Sequence, residues 1–144
     1  MNARAPSGLG RKVRERIEDE HRFLRGRLTR LEELGEPRDI LSELRELRPF
    51  LEAHFKTEEG VEGMPELIRC CAPHHYDRLK SIFLEHGKFL LEIDHLVAAI
   101  EAASVPPAAI ADGVAALLTR LREHEAMETN LLSIAINTDL GGCD

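Results

Sequence analysis

The fold is decided by the stretch PRDILSELRELRPFLEAHFKTEE, residues 37–59. Its apolar residues recur at steps of three and four, which is the repeat of one face of an α-helix. Continuing the same steps leads to His54 and Glu58, so two polar residues extend an apolar seam. The apolar members of this seam are Ile40, Leu44, Leu47 and Leu51.

The same repeat occurs in three further long stretches, which glycine and proline separate from one another. We predict long helices at about Leu9–Leu34, Pro37–Glu59 and Pro73–Ala102 and from Pro106-Pro107 to about Asn137, with a short helix at Pro65–Cys71. Long helices joined by short connections predict an all-α protein, an up-down-up-down antiparallel four-helix bundle. The tail Thr138–Asp144 has no periodicity and is expected to fray or to dock only loosely. We expect one domain, residues 1–144, with a core of about 10–137.

Composition supports a helical protein and excludes several classes of partner. Of 144 residues, 43% are apolar, only 4% are aromatic, and the formal net charge is -7. Such a charge argues against nucleic acid, which normally binds a net-basic face. No apolar run approaches the roughly 20 residues of a membrane span, and Met1–Gly10 lacks the apolar block of a secretory signal. Cys70, Cys71 and Cys143 do not form an even-numbered disulfide framework, so we expect a cytoplasmic protein.

Histidine or glutamate interrupts every long apolar stripe at a similar depth. His54/Glu58 and His124/Glu128 are pairs four residues apart, so each pair presents an imidazole and a carboxylate on one helix face. Counted from the turns at about 1.5 Å per residue, the histidines of each hairpin differ in level by only about 3–5 Å. We therefore predict one layer of metal ligands. Its members are His21, His54, Glu58, His86, His124 and Glu128.

This set of residues predicts a dinuclear centre. Two carboxylates in an apolar interior would each cost several kcal/mol in desolvation, or take up protons, unless a cation lies between them. Imidazole and carboxylate suit iron, manganese or zinc. Six protein ligands are too many for one tetrahedral zinc and too few to saturate two octahedral ions. We expect Glu58 and Glu128 to bridge the ions and the histidines to be terminal ligands.

Other polar residues are expected to lie outside this layer. The acidic neighbours of the predicted ligands should point about 100° away from the core and be solvated, with a contact to an imidazole as the alternative. They are Glu20, Glu59, Glu85 and Glu125. The remaining histidines, His74, His75 and His95, are expected at the surface or at helix caps. Tyr76 is expected to lie too far along its helix to reach the metals.

The pattern of His21, His54-Phe-Lys-Thr-Glu58, His86 and His124-Glu-Ala-Met-Glu128 resembles the hemerythrin-like (HHE cation-binding) family, over about residues 12–137. Local motifs add to the likeness: His54-Phe55 with Glu58-Glu59, then Met64-Pro65, and Glu85-His86-Gly87. The resemblance implies a bundle with two non-heme iron ions, joined by an oxo or hydroxo bridge. The family's usual small ligands are dioxygen, nitric oxide and peroxide.

Two departures from the oxygen-carrying members of that family affect the expected function. Those members have a further histidine one turn after the third-helix ligand, where this chain has Leu90, and a carboxylate five residues after the fourth-helix histidine, where it has Thr129. One imidazole fewer favours reaction over reversible oxygen carriage. We expect a protein that binds, senses or reacts with a small oxidant. The alternatives are iron homeostasis without turnover and a metal-free structural bundle.

Overall fold

A computed structural model describes residues 7–140, with side chains for residues 10–138. Within this range the chain forms four long α-helices, one short α-helix and a 3₁₀ turn. The α-helices are α1 (Ser7–Glu33), α2 (Pro37–Glu59), α3 (Met64–Cys71), α4 (Tyr76–Glu101) and α5 (Pro107–Leu140).

The long helices form a closed square. Helix α1 packs against α2 and α5, and α4 packs against the same two helices from the other side. Helix α3 lies across one end and contacts α2, α4 and α5. The predicted all-α four-helix bundle is therefore confirmed. In the described part of the chain, none of the helices combines the length and apolar character that a bilayer span requires.

The largest differences from the predicted helix ends lie at the start of α4 and at the end of α5. The third long stretch begins as a 3₁₀ turn at Pro73–His75 before α4 starts at Tyr76. Helix α5 continues to Leu140, three residues beyond its predicted end near Asn137. Helix continuation needs backbone hydrogen bonds rather than apolar periodicity, and the hydroxyl of Thr138 adds a bond to the carbonyl of Ile134 at 2.9 Å. The rest of the predicted tail, with Cys143, and residues 1–6 lie outside the described residues.

The core consists of two apolar clusters, one toward each end of the bundle. One cluster contains Leu24 of α1, Leu51 of α2, Phe89 of α4 and Leu121 of α5. The other contains Ile17, Ile82 and Leu131 together with residues of α3. In α1, α4 and α5 the helix passes from one cluster to the other across a buried histidine. The inward-facing apolar residues of these helices are buried, except that Leu96 and Ile100 near the end of α4 are only partly buried. The polar residues between the clusters form a separate layer.

Candidate metal centre

The polar layer between the two apolar clusters contains the predicted ligands. Each of the six side chains belongs to a residue that is at most 3% exposed. They are His21 of α1, His54 and Glu58 of α2, His86 of α4, and His124 and Glu128 of α5. Helix periodicity turned each of them inward, because each lies on the stripe that the apolar residues bury.

Within the described residues, the ligand-type atoms fall into two groups of four that share two carboxylates. His21 and His54 form the first group with Glu58 and Glu128, and His86 and His124 form the second with the same two glutamates. The candidate ligand atoms of each group lie within 4.8 Å of one another.

The shared carboxylates each direct one oxygen toward each group. Glu58 Oε2 lies 3.1 Å from Nε2 of both His21 and His54, whereas its Oε1 lies 3.3 Å from Nε2 of His86. Glu128 Oε1 lies 3.1 Å from Nε2 of His21, whereas its Oε2 lies 3.0 Å from that of His124. This is the arrangement that a carboxylate needs to bridge two cations.

Carboxylates on neighbouring helices orient three of the imidazoles. The Nδ1–H of His54 donates to Glu20 at 2.6 Å, that of His86 to Glu59 at 2.5 Å, and that of His124 to Glu85 at 2.7 Å. A ring that donates from Nδ1 presents a lone pair at Nε2, which is the form that binds a metal. The contact to an imidazole is therefore confirmed for these three glutamates, which also remain 25–44% exposed to solvent. Glu125 is buried, so the expectation that it is solvated is wrong.

These orientations make a cation favourable at the centre. Nε2 of His86 and Nε2 of His124 lie 3.1 Å apart. Two lone pairs at that distance repel each other unless a proton or a metal ion lies between them. Glu58 Oε1 is buried and has no hydrogen-bond partner among the described residues. The residues present therefore fit a metal ion.

A family model described as the hemerythrin HHE cation binding domain matches residues 12–133. The chain belongs to the hemerythrin HHE family. Neither a curated protein nor a solved structure gives a significant match. The family and the His/Glu cluster together indicate a metal-binding protein.

The charges of this HHE centre respond to burial. Burial raises the pKa of Glu58 well above its usual 4.5, and the negative charge of Glu128 adds to the effect. Burial acts in the same direction on Glu128, but its contacts with the imidazoles of His124, His21 and His86 outweigh it and lower the pKa. Of two carboxylates in one dry layer, only one ionises readily without a cation.

The histidines of the two groups also differ in their proton affinity. Burial lowers the pKa of His54, although Glu20 opposes this. Burial would lower the pKa of His124 as well, but the hydrogen bonds with Glu128 and Glu85 raise it. In the metal-free protein, a proton therefore binds to His124 in preference to His54.

An aromatic wall covers one side of the HHE centre, which the sequence patterns did not predict. Phe55 stacks on His86 with the ring centroids 3.8 Å apart, and Phe89 meets His124 edge-on at 5.1 Å. Phe55 directly follows His54 in sequence, but it stacks on the imidazole of the adjacent helix α4 rather than on that of His54. These rings hold the imidazole planes and keep water away from them.

A close turn positions the end of α2 beside the centre. A Cβ at Gly63 would lie 2.3 Å from the carbonyl oxygen of Glu58 and 2.4 Å from that of Thr57. Glycine is required at this position because any larger residue would displace the backbone that carries Glu58. The amide of Gly63 donates to the carbonyl of Gly60 at 2.9 Å, which closes the turn.

The remaining predicted features lie away from the metal ligands. His74 and His95 are exposed, His75 is half-buried against His74, and Tyr76 accepts a hydrogen bond from Arg69. Leu90 packs on the apolar cluster that contains Phe89. Thr129, at the position where the oxygen carriers have a carboxylate, is exposed.

Proposed function

We propose that this HHE protein binds two non-heme iron ions, bridged by Glu58 and Glu128, and that it binds, senses or reacts with a small oxidant. The observation that supports this is the division of each shared carboxylate between the two groups of ligands. A single ion would need only one of these groups. We take residues 10–137 as the functional unit.

Imidazole and carboxylate donors without thiolate suit iron, manganese or zinc. Iron is the ion that we propose, because the ligand pattern resembles that of the family's di-iron members. Each group offers two imidazole nitrogens and one oxygen from each bridging glutamate. Four protein donors leave room for an oxo or hydroxo bridge and for an exogenous ligand at an octahedral ion. Two iron ions would supply the electrons that reduce a small oxidant.

The chain's own residues select for small, uncharged reactants. The ligands are buried and the aromatic rings of Phe55 and Phe89 cover one side of the layer. Dioxygen, nitric oxide and hydrogen peroxide can diffuse through transient openings in such a core, whereas larger or charged substrates cannot. The apolar Leu90, which takes the place of a further imidazole, favours reaction over reversible oxygen carriage.

Metal analysis and optical spectra test this proposal. We expect about two iron ions per chain after iron loading, and a change in the visible spectrum on addition of peroxide or nitric oxide. Iron that binds and is released to a chelator, with no change on addition of either oxidant, would instead indicate iron homeostasis. If the protein binds no metal and chelators leave its melting temperature unchanged, the metal-free structural bundle is correct.

A matched pair of variants separates the ligands from their surroundings. His54→Ala removes a ligand and should abolish the two-iron form. His95→Ala removes an exposed histidine and should leave the iron content unchanged. If both variants retain two iron ions per chain, the ligand assignment is wrong.

A further inference from the structure

Four acidic residues, each adjacent in sequence to a proposed ligand, form a ring around the centre. Each lies on one long helix and faces the Nδ1 atom of a histidine on the next helix of the square. The pairs are Glu20 with His54, Glu59 with His86, Glu85 with His124, and Glu125 with His21.

Three of these contacts are hydrogen bonds and the fourth is not. The three distances lie between 2.5 and 2.7 Å, whereas Glu125 Oε1 lies 4.0 Å from His21 Nδ1. That separation exceeds hydrogen-bond range. Among the described residues, neither the buried His21 Nδ1 nor the buried Glu125 Oε2 has a hydrogen-bond partner.

Arg25 accounts for the open contact. Its guanidinium donates to Glu125 Oε1, the same oxygen that lies nearest to His21 Nδ1. Arg25 lies one turn after His21 on α1 and is more than half exposed, whereas Glu125 is buried. The ion pair borders a solvent-open groove of about 610 Å³ between α1 and α5. Arg25 therefore holds the carboxylate toward the groove and away from the imidazole.

The open contact makes the two groups of ligands unequal. In the group of His86 and His124, a carboxylate fixes both imidazoles, whereas in the group of His21 and His54 only His54 is fixed. A carboxylate on Nδ1 orients the ring and makes it a stronger ligand, and its loss typically costs about 10–100-fold in metal affinity.

We propose that the two metal positions differ in affinity, that the position of His21 and His54 is the weaker one, and that Arg25 causes this by withholding Glu125 from His21. The proposal rests on the two-metal centre proposed above. It makes Glu20, Glu59 and Glu85 positioning residues. It also makes the weaker position the one that loads last and loses its metal first.

Titration of the metal-free protein with Co²⁺ tests the proposal, because cobalt spectra report each position as it fills. The wild-type protein should bind in two steps that differ by about tenfold or more. Arg25→Ala should strengthen the weaker step by about tenfold and leave the tighter step unchanged. Arg25→Lys should bind Co²⁺ with the wild-type affinity in both steps, since lysine retains the ion pair. Arg22→Ala is the matched control, because Arg22 lies on the same helix and pairs only with the exposed Asp19 among the described residues.

Two further variants assign the steps to their positions. Glu85→Gln should weaken the tighter step, and Glu20→Gln should weaken the weaker step. Two equal steps in the wild-type protein, an unchanged weaker step in Arg25→Ala, or the reverse assignment in the glutamine variants would overturn the inference while leaving a two-metal centre intact. Binding of fewer than two Co²⁺ per chain would instead overturn the proposed centre itself.

Discussion

Replacement of Glu58 by Gln removes a carboxylate that both groups of ligands share. The two side chains have nearly the same shape, so the bundle should keep its packing. The amide cannot bridge two cations as a carboxylate does, and each group loses one of its two anionic donors. We therefore expect the variant to lose the two-metal form rather than only one of the ions.

The effect on stability should have opposite signs with and without metal. A metal present at 1,000 times its dissociation constant stabilises the folded state by about 4 kcal/mol per site. For a domain of this size that corresponds to a rise in melting temperature of about 8–16 °C for each occupied site, at about 2–4 °C for each kcal/mol. Glu58→Gln should abolish most of this rise. Without metal, the variant should melt at or above the wild-type temperature at pH 8, because burial disfavours the charged form of Glu58.

Thermal denaturation followed by circular dichroism, with and without metal, measures both effects. Glu43→Gln is the control, because Glu43 is also a buried glutamate of α2 but bonds to Arg27 at 2.8 Å and lies close to Arg30, away from the centre. It should destabilise the protein by about 1–3 kcal/mol with or without metal. If Glu58→Gln still binds two ions per chain and shows the full rise in melting temperature, the bridging role is refuted.

Three further outcomes are expected. Metal uptake should release protons and strengthen as the pH rises above 4.5, because the raised pKa of Glu58 leaves it protonated in the metal-free protein. Calorimetry in two buffers of different ionisation enthalpy measures the released protons. A binding enthalpy that does not depend on the buffer would contradict this. Gly63→Ala should lower the melting temperature and weaken metal binding, since its Cβ would lie 2.3 Å from the carbonyl oxygen of Glu58; unchanged melting and unchanged metal content would contradict the role of this turn. Gly87→Ala, in the exposed middle of α4, should stabilise the protein by about 0.5–1 kcal/mol, because its Cβ would meet nothing within 4 Å. Urea denaturation measures this change. A loss of stability would show that this position is more constrained than its exposure indicates.

The fold could be predicted because helical periodicity is a local property. The steps of three and four that run from Ile40 to Glu58 do not depend on any other part of the chain, and the proline and glycine residues that end the helices also act locally. The predicted end of α5 near Asn137, three residues short of Leu140, has the same origin. Apolar periodicity reports burial of a face, and a helix continues beyond its buried face wherever its backbone hydrogen bonds continue.

The acidic neighbours of the ligands show where this reasoning stops. On its own helix, the side chain of Glu85 points about 100° away from that of His86. From the sequence alone, a side chain in that direction is expected to face solvent. In the bundle that direction leads to the adjacent helix, where Glu85 bonds to His124. The repeated placement of an acidic residue beside each ligand was the available signal, but its meaning depended on which helices are neighbours.

The sequence by itself determined which residues share a helix face, and therefore that imidazoles and carboxylates lie on buried stripes. Only the tertiary structure decided how those faces meet: each carboxylate divided between two groups, three imidazoles fixed by neighbouring helices, and the fourth left free by Arg25. The reason is that positions along one helix follow from its fixed rise and turn. The rotation and spacing of one helix against another depend on packing between residues far apart in the chain. Only this packing makes Glu20 lie 2.6 Å from Nδ1 of His54 while Glu125 lies 4.0 Å from Nδ1 of His21.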